Sequence, residues 1–326
     1  MSPRVTLSQA YRQGLAEEMR ADPSILVYGT DLFERGGHWG QVRGLGDEFG
    51  RDRVRNAPIS EAAMVAAGVG AAMNGLRPVV DLNFIDFAFG AMDEIVNQAA
   101  KVRYMWGAPM PLVIRGTNGV AGGGAQHNNS IESWFAHTPG LLVAMPSTPA
   151  DTKGLIKSAL RGQDPVIFLM HKLLAGLRGE VGGEEDLVPF GRGVVRRPGR
   201  DVTIATYGVT VSRSVAAAEQ LAAEGVEVEV LDLRTVAPLD LELVEDSVRR
   251  TRRLVVVTEA PRHGGIGAEI AAALAESLHG ELDGPVLRVG APHVPTPHSP
   301  TLLAAATPTA EDIARAVRLA VPARAA

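Results

Sequence analysis

The chain has no cysteine, which excludes disulfides, thiolate metal sites and a cysteine nucleophile. It has no excess of basic residues either: 32 Lys and Arg stand against 37 Asp and Glu, with a pI near 5.9. That balance argues against binding a nucleic-acid backbone or an acidic membrane surface. The one long charge-free apolar run, residues 62–75, is too short and too rich in Gly and Ala to span a bilayer. The first residues hold two acids by Glu18 and no long apolar core, so neither a signal nor a transit peptide is expected, and the expected compartment is cytoplasmic. P-loop, G-x-S-x-G and H-E-x-x-H motifs are missing, and Gly68-x-Gly70 lacks the third glycine of a dinucleotide fingerprint.

What is present describes a globular α/β protein. The 326 residues, 46% hydrophobic and 21% charged, suit two domains of ordinary size. An amphipathic helix over 6–21 leads to a strand at Ile25–Tyr28 and then to a Gly- and Arg-rich stretch, 34–56, with a short helix near 44–49. A helix over 61–74, uncharged after Glu61, is expected to be buried nearly all round. Strand 79–82, helix 88–104, strand 111–114, strand 141–144, helix 150–161 and strand 166–169 follow. This alternation implies a doubly wound, mostly parallel sheet in residues 1–175. Residues 176–200 read as a linker, and 201–326 repeat the alternation: strands at 202–206, 226–231, 254–258 and 286–289, and helices at 210–224, 239–250, 266–279 and 309–320. Glu227 and Glu229 alternate with valines, which predicts one wetter face on that strand.

Few residues stand out as carriers of chemistry. Ala57-Pro58-Ile59-Ser60-Glu61 places an acid at a helix start, with Ser60 as the expected N-cap. The helix dipole favours an acid there; so does a role in which a carboxyl in an apolar setting gives a proton to a ligand. Pattern alone leaves both readings open. Gly122-Gly123-Gly124 would let backbone approach a ligand, and His127 directly after it is the best placed of eight histidines. Phe84-Ile85-Asp86-Phe87 reads as core packing or as a stacking surface for a ring.

Longer stretches carry a resemblance. Asn56–Glu61, Gly75-Leu76-Arg77-Pro78, Phe84–Phe87, Asn97–Lys101, Gln126-His127, Phe135–Leu141, Asp232–Thr235 and Gly267-Ala268-Glu269 appear in order at family-like spacing. Together they closely resemble the β subunit of thiamine-diphosphate-dependent 2-oxo acid dehydrogenase (E1), over about residues 5–320. The resemblance implies a transketolase-like pyrimidine-binding domain followed by a transketolase C-terminal domain. It implies an E1 α subunit in an α2β2 heterotetramer, a lipoyl-bearing E2, and a 2-oxo acid or acetoin as substrate. Thiamine diphosphate would be shared with the α chain, which holds the diphosphate and Mg²⁺; this chain has no Gly-Asp-Gly.

Carried over by position, Glu61 matches the glutamate that bonds N1′ of the aminopyrimidine and favours its imino form. Phe87 matches the stacking aromatic, and His127 the active-site histidine. Leu112, Ala159, Leu160, Gly162 and Asp164 fall where some members bind a structural K⁺, with Gly162 standing where an acid is common. Thr30 replaces a usual acid, and Asn128-Asn129 replaces Ser-Gln. The motifs around Phe84–Phe87 and Tyr104–Gly107 are most similar to acetoin dehydrogenases. The alternatives are the C-terminal half of a split transketolase, which the sparse histidines disfavour, and a non-catalytic scaffold or regulatory subunit.

Overall fold

The computed structural model describes residues 4–321. The chain divides into two compact units. The first runs through Asn118 and from Trp134 to Phe190; the second takes Gly119–Ser133 and everything from Gly191 onward. A segment of fifteen residues late in the first half of the chain, the one carrying His127, therefore clusters with the second unit.

In the first unit, β1 (Val5–Thr6) leads into α1 (Leu7–Ala21), where Thr6 and Gln9 form a reciprocal capping box. Then come β2 (Ile25–Gly29), α2 (Leu45–Phe49), β3 (Val54–Asn56), α3 (Glu61–Met73) and β4 (Arg77–Phe84). After α4 (Ala100–Trp106) and β5 (Val113–Asn118), the short α5 (Glu132–Ala136) returns the chain to this unit. The unit closes with β6 (Leu142–Ala144), α6 (Pro149–Arg161), β7 (Val166–His171) and β8 (Arg178–Gly179), which pairs antiparallel with β1. Its strands lie in the order β6-β7-β5-β4-β2-β3, all parallel. Helices α1 and α6 cross closely at Gly14, where a Cβ would meet Ile156 at 2.8 Å. Beside that crossing Lys157 lies between Glu17 and Glu18, and Arg161 makes a two-pronged bond to Glu18.

The second unit holds β9 (Val194–Arg197), β10 (Val202–Thr206), α7 (Thr210–Ala222), β11 (Val228–Asp232), β12 (Thr235–Ala237) and α8 (Leu241–Thr251). It continues with β13 (Leu254–Pro261), α9 (Ile266–Ser277), β14 (Leu287–Ala291), α10 (Pro300–Ala306) and α11 (Ala310–Ala320). Its main sheet runs β14-β13-β10-β11-β9, with only β9 antiparallel. Val202, Ile204, Val230 and Val257 meet Leu221, Ile313 and Val317 in its core. Among the described residues no helix is long and apolar enough to cross a membrane.

Several expectations need correction. The helix expected over 88–104 is three pieces: a 3₁₀ segment (Ile85–Ala91), a π turn (Glu94–Ala99) and α4. The 3₁₀ and π pieces, of seven and six residues, are too short for their different periods to show in the sequence. The strand expected at 111–114 begins later and runs to Asn118. Residues 176–200, expected as a linker, contain β8 and β9. The strand with a wetter face has none. It is buried throughout, and Glu229 accepts from Ser247 and Arg250. The helix α10 lies in Pro- and His-rich sequence where no periodic pattern was legible.

The helix α3 departs furthest. Met64, Val65, Gly68, Val69 and Ala72 are buried, but Ala63, Ala66, Ala67, Gly70 and Met73 are exposed. An all-small, uncharged helix reads as buried on every side, yet this unit covers only one of its faces.

Candidate functional site

In a parallel sheet each strand hands over to its following loop at the carboxyl edge, and ligands collect there. In the first unit that edge is formed by Gly29, Asn56, Phe84, Asn118 and His171. Gly29 lies so near β4 that a Cβ would sit 2.4 Å from Asp81 O.

The turn before Glu61 is tied to this edge. Ala57 N donates to Gly29 O at 2.9 Å, while Asn56 accepts from Phe33 N and donates to the Glu34 carboxylate. Ser60 does not cap α3: its hydroxyl donates to Pro58 O at 3.2 Å, which stiffens the turn instead. Glu61 is then the first residue of the helix, half-buried and in its positive dipole. Beside this turn, Tyr28, Asn56, Pro58, Ala63 and Ala67 line an open cavity of about 440 Å³ along the exposed face of α3.

Helix α3 also packs against the 3₁₀ segment that carries Phe87. Phe87 is 36% exposed and meets Phe84 edge-on, with ring centroids 5.9 Å apart. Phe84 is the centre of a small aromatic cluster: His38 tilts against it at 5.2 Å and Lys172 lies over its ring at 5.3 Å. Burial, then the charges of Arg35 and Arg115, lower the His38 pKa. His38 was missed from sequence because its Gly-rich loop has no periodicity; its one signal is the aromatic neighbour Trp39. Beneath the cluster, Arg115 (0% exposed) pairs with Asp81, which also accepts from Gln41 and Asn83 N. This buried set fixes β4 and β5 under Phe84.

In the second unit, His127 lies in a short 3₁₀ turn after the three glycines. Gly122 and Gly124 take left-handed φ of 86° and 76°. The Asn128 side chain spans the turn, accepting from Ala121 N at 2.7 Å and donating to Gly124 O at 2.6 Å. Both ends of the segment bind one atom: Glu259 Oε2 accepts from Val120 N at 3.0 Å and from Ser130 Oγ at 3.1 Å. Arg213 balances the charge of Glu259 at 3.4 Å. Tyr207 donates to Glu132 at 2.8 Å, and burial followed by the charge of Glu132 pushes its phenol well up.

The residues matched to a K⁺ site are engaged. Leu112 O accepts from Val166 N and Ala159 O from Gly162 N; Leu160 O and Gly162 O accept from Arg77 at 2.9 and 2.7 Å. The Asp164 carboxylate pairs with Arg103. Each carbonyl keeps a second lone pair. Arg77 here satisfies the carboxyl end of α6. Among the described residues no three His, Asp or Glu side chains group as a metal site.

Comparison with known proteins adds to this geometry. Residues 4–176 match the transketolase pyrimidine-binding domain and residues 191–313 the transketolase C-terminal domain. The chain is 44% identical to the acetoin:2,6-dichlorophenolindophenol oxidoreductase subunit beta of Cupriavidus necator, over 98% of both chains. It is 41% identical to the pyruvate dehydrogenase E1 component subunit beta of Rhizobium meliloti, over 96% of this chain and 69% of that one. It is 40% identical to the 2-oxoisovalerate dehydrogenase subunit beta of Bacillus subtilis, over 90% and 91%. Among solved structures, a "split gene transketolase, inactive beta4 tetramer" superposes with a TM-score of 0.80 at 28% identity, covering 98% of each chain.

Proposed function

Because the chain belongs to the E1 β subunits of 2-oxo acid dehydrogenases, an oxidoreductase family built on transketolase-like domains, we propose that it works with an α subunit on a thiamine-diphosphate-dependent cleavage of a 2-oxo acid or acetoin. The observation that carries this reading is Glu61 at the head of α3, held at the carboxyl sheet edge by the Asn56–Ser60 turn, with the exposed ring of Phe87 on the segment that α3 packs against. A carboxyl group and a partly exposed aromatic ring are the set of groups an aminopyrimidine needs. When bound, thiamine diphosphate supplies the carbon nucleophile and the electron sink for breaking the bond next to the carbonyl.

Glu61 shares a proton with the ring nitrogen N1′ and so sets the proton balance of the ring. Phe87 stacks on the pyrimidine and orients it. His127, on its clamped turn, holds or moves a proton as the acyl unit leaves for the lipoyl group of E2. The chain has no Gly-Asp-Gly, so the α subunit holds the diphosphate and Mg²⁺. The inactive state named for the β4 neighbour agrees with a need for that partner. The same neighbour keeps a split-transketolase reading open, but at 28% identity against 44% for the acetoin enzyme subunit the E1 reading leads.

The test is co-expression with an α-type subunit, followed by assay of acetoin, pyruvate and branched-chain 2-oxo acids with thiamine diphosphate, Mg²⁺ and an artificial electron acceptor. Turnover of one of these substrates is expected. An assembled complex that binds no cofactor and turns over none of them would leave only the scaffold reading. Glu61→Gln should assemble normally and lose about a hundredfold or more in rate; near wild-type activity would remove Glu61 from its role. Running the assay in potassium and in sodium tests the carbonyl set around Gly162, with a loss of stability in sodium supporting a bound K⁺.

A further inference from the structure

A second cavity, far simpler in its chemistry, is built entirely within the second unit. It is an open cavity of about 220 Å³ between the ends of β13 and β14, the end of α10 and the start of α11. Three arginines line it: Arg262 after β13, Arg288 on β14 and Arg315 on the second turn of α11. The one carboxylate in the lining, Asp312, is already used, accepting from Thr309 N and Oγ1 and pairing with Arg315. Burial raises its pKa, but the bonds to Thr309 and Arg315 outweigh that and lower it, so it stays ionised. The lining thus carries an excess of two positive charges in a chain whose net charge is −5.

Like charges around one cavity repel unless something negative joins them. Among the described residues neither Arg262 nor Arg288 meets a carboxylate; Arg288 donates to Arg262 O at 3.0 Å, and the Arg262 side chain bonds to nothing. Gly290 keeps Arg262 in place: a Cβ there would lie 2.9 Å from Ala260 O and 3.0 Å from Arg262 Cγ, so the arginine stem crosses bare backbone. The positive end of the eleven-residue α11 closes the wall. All three cations are arginine, whose planar fork matches phosphate oxygens in pairs. The volume is below the roughly 300 Å³ at which ordinary ligand pockets begin, which suits a small anion.

We propose that this cavity binds a small phosphate-bearing anion, such as a phosphate monoester of a few carbons. The site does not depend on the proposed catalytic chemistry, and binding is read without turnover.

The experiment titrates inorganic phosphate into the full chain, assembled with its α subunit where assembly is needed. Calorimetry and thermal unfolding are followed with ionic strength held constant by chloride. Saturable binding and a rise in Tm beyond that given by chloride alone are expected. Arg262→Gln should weaken the affinity about tenfold and Arg262→Gln/Arg288→Gln further, since each removes a charge-assisted contact. Arg249→Gln, on the surface of α8, should change nothing. Arg262 is exposed and unbonded through its side chain, so its single variant carries the test even if the double variant folds poorly. Absence of saturable binding, an equal effect of chloride, or an Arg262→Gln affinity equal to wild type would each overturn the proposal.

Discussion

Asn128 and Glu259 together do what three glycines cannot, which is to hold a flexible turn in one shape. Glycine accepts the left-handed φ at Gly122 and Gly124 without strain, but it also raises the entropy of the unfolded loop. Asn128 ties the middle of the turn and Glu259 ties its ends. Asn128, a departure from the usual residue at its position, thus has a structural task next to His127. Glu259→Ala would leave Val120 N, Ser130 Oγ and Arg213 without this partner. An unpaired buried group is costly, so a loss of about 3 kcal/mol in urea unfolding is expected, with faster amide exchange over 120–130. A loss below about 1 kcal/mol with unchanged exchange would show that the turn holds itself. At this scale Glu61, Phe87 and His127 stood out in the sequence as candidates because their motifs are contiguous. Glu259 and His38 were not, since each lies far in sequence from what it touches.

The element that repays most study is α3. Its uncharged run of Ala, Gly, Val and Met satisfies two different settings equally: a helix covered by its own domain, or one left half bare for a partner. The unit buries the Val65–Val69 side and leaves the Ala66–Gly70 side open beside the cavity at Asn56–Ser60. An α-subunit partner follows from the family, and this bare face is a ready place for close helix contact. Gly70 separates the cases, because nothing lies within 4 Å of a Cβ added there. Gly70→Ala should stabilise the isolated chain by roughly 0.5–1 kcal/mol through helix propensity alone. Assembly with the α subunit should weaken if a partner backbone lies against this face. Unchanged assembly, measured by sedimentation, would move the contact elsewhere. Periodicity located α3 correctly and misjudged its burial. It read one helix over 88–104 where the chain makes 3₁₀, π and α pieces, because each piece is too short to show its own period.

For the molecule as a whole, the ion pairs set an acid limit to stability. Glu18 is the clearest case: burial raises its pKa, but Arg161 and Lys157 more than reverse this and lower it. Asp22 is also lowered, burial being outweighed by bonds to Ser24 and the charges of Arg77 and Arg53. A carboxyl whose folded pKa lies below its unfolded value contributes stability above the unfolded value. That contribution is lost as pH falls through the folded one. Stability should therefore be steady near neutrality and decline from about pH 4 downward. Glu18→Gln should lower Tm at pH 7 and flatten the acid limb. An acid limb as steep as wild type would place the proton uptake at other carboxyls.

The alternation of strands and helices in two α/β domains and the family were contained in the chain of letters, as was the choice of Glu61, Phe87 and His127 as candidates. Each depends on local pattern or on contiguous motifs. Tertiary structure alone decided which face of α3 stays bare, that Glu229 is buried, that the His127 segment clusters with the second unit, and that three arginines from separate elements share one cavity. Those outcomes rest on contacts between residues tens to hundreds of positions apart, and no local period encodes which distant segments will meet.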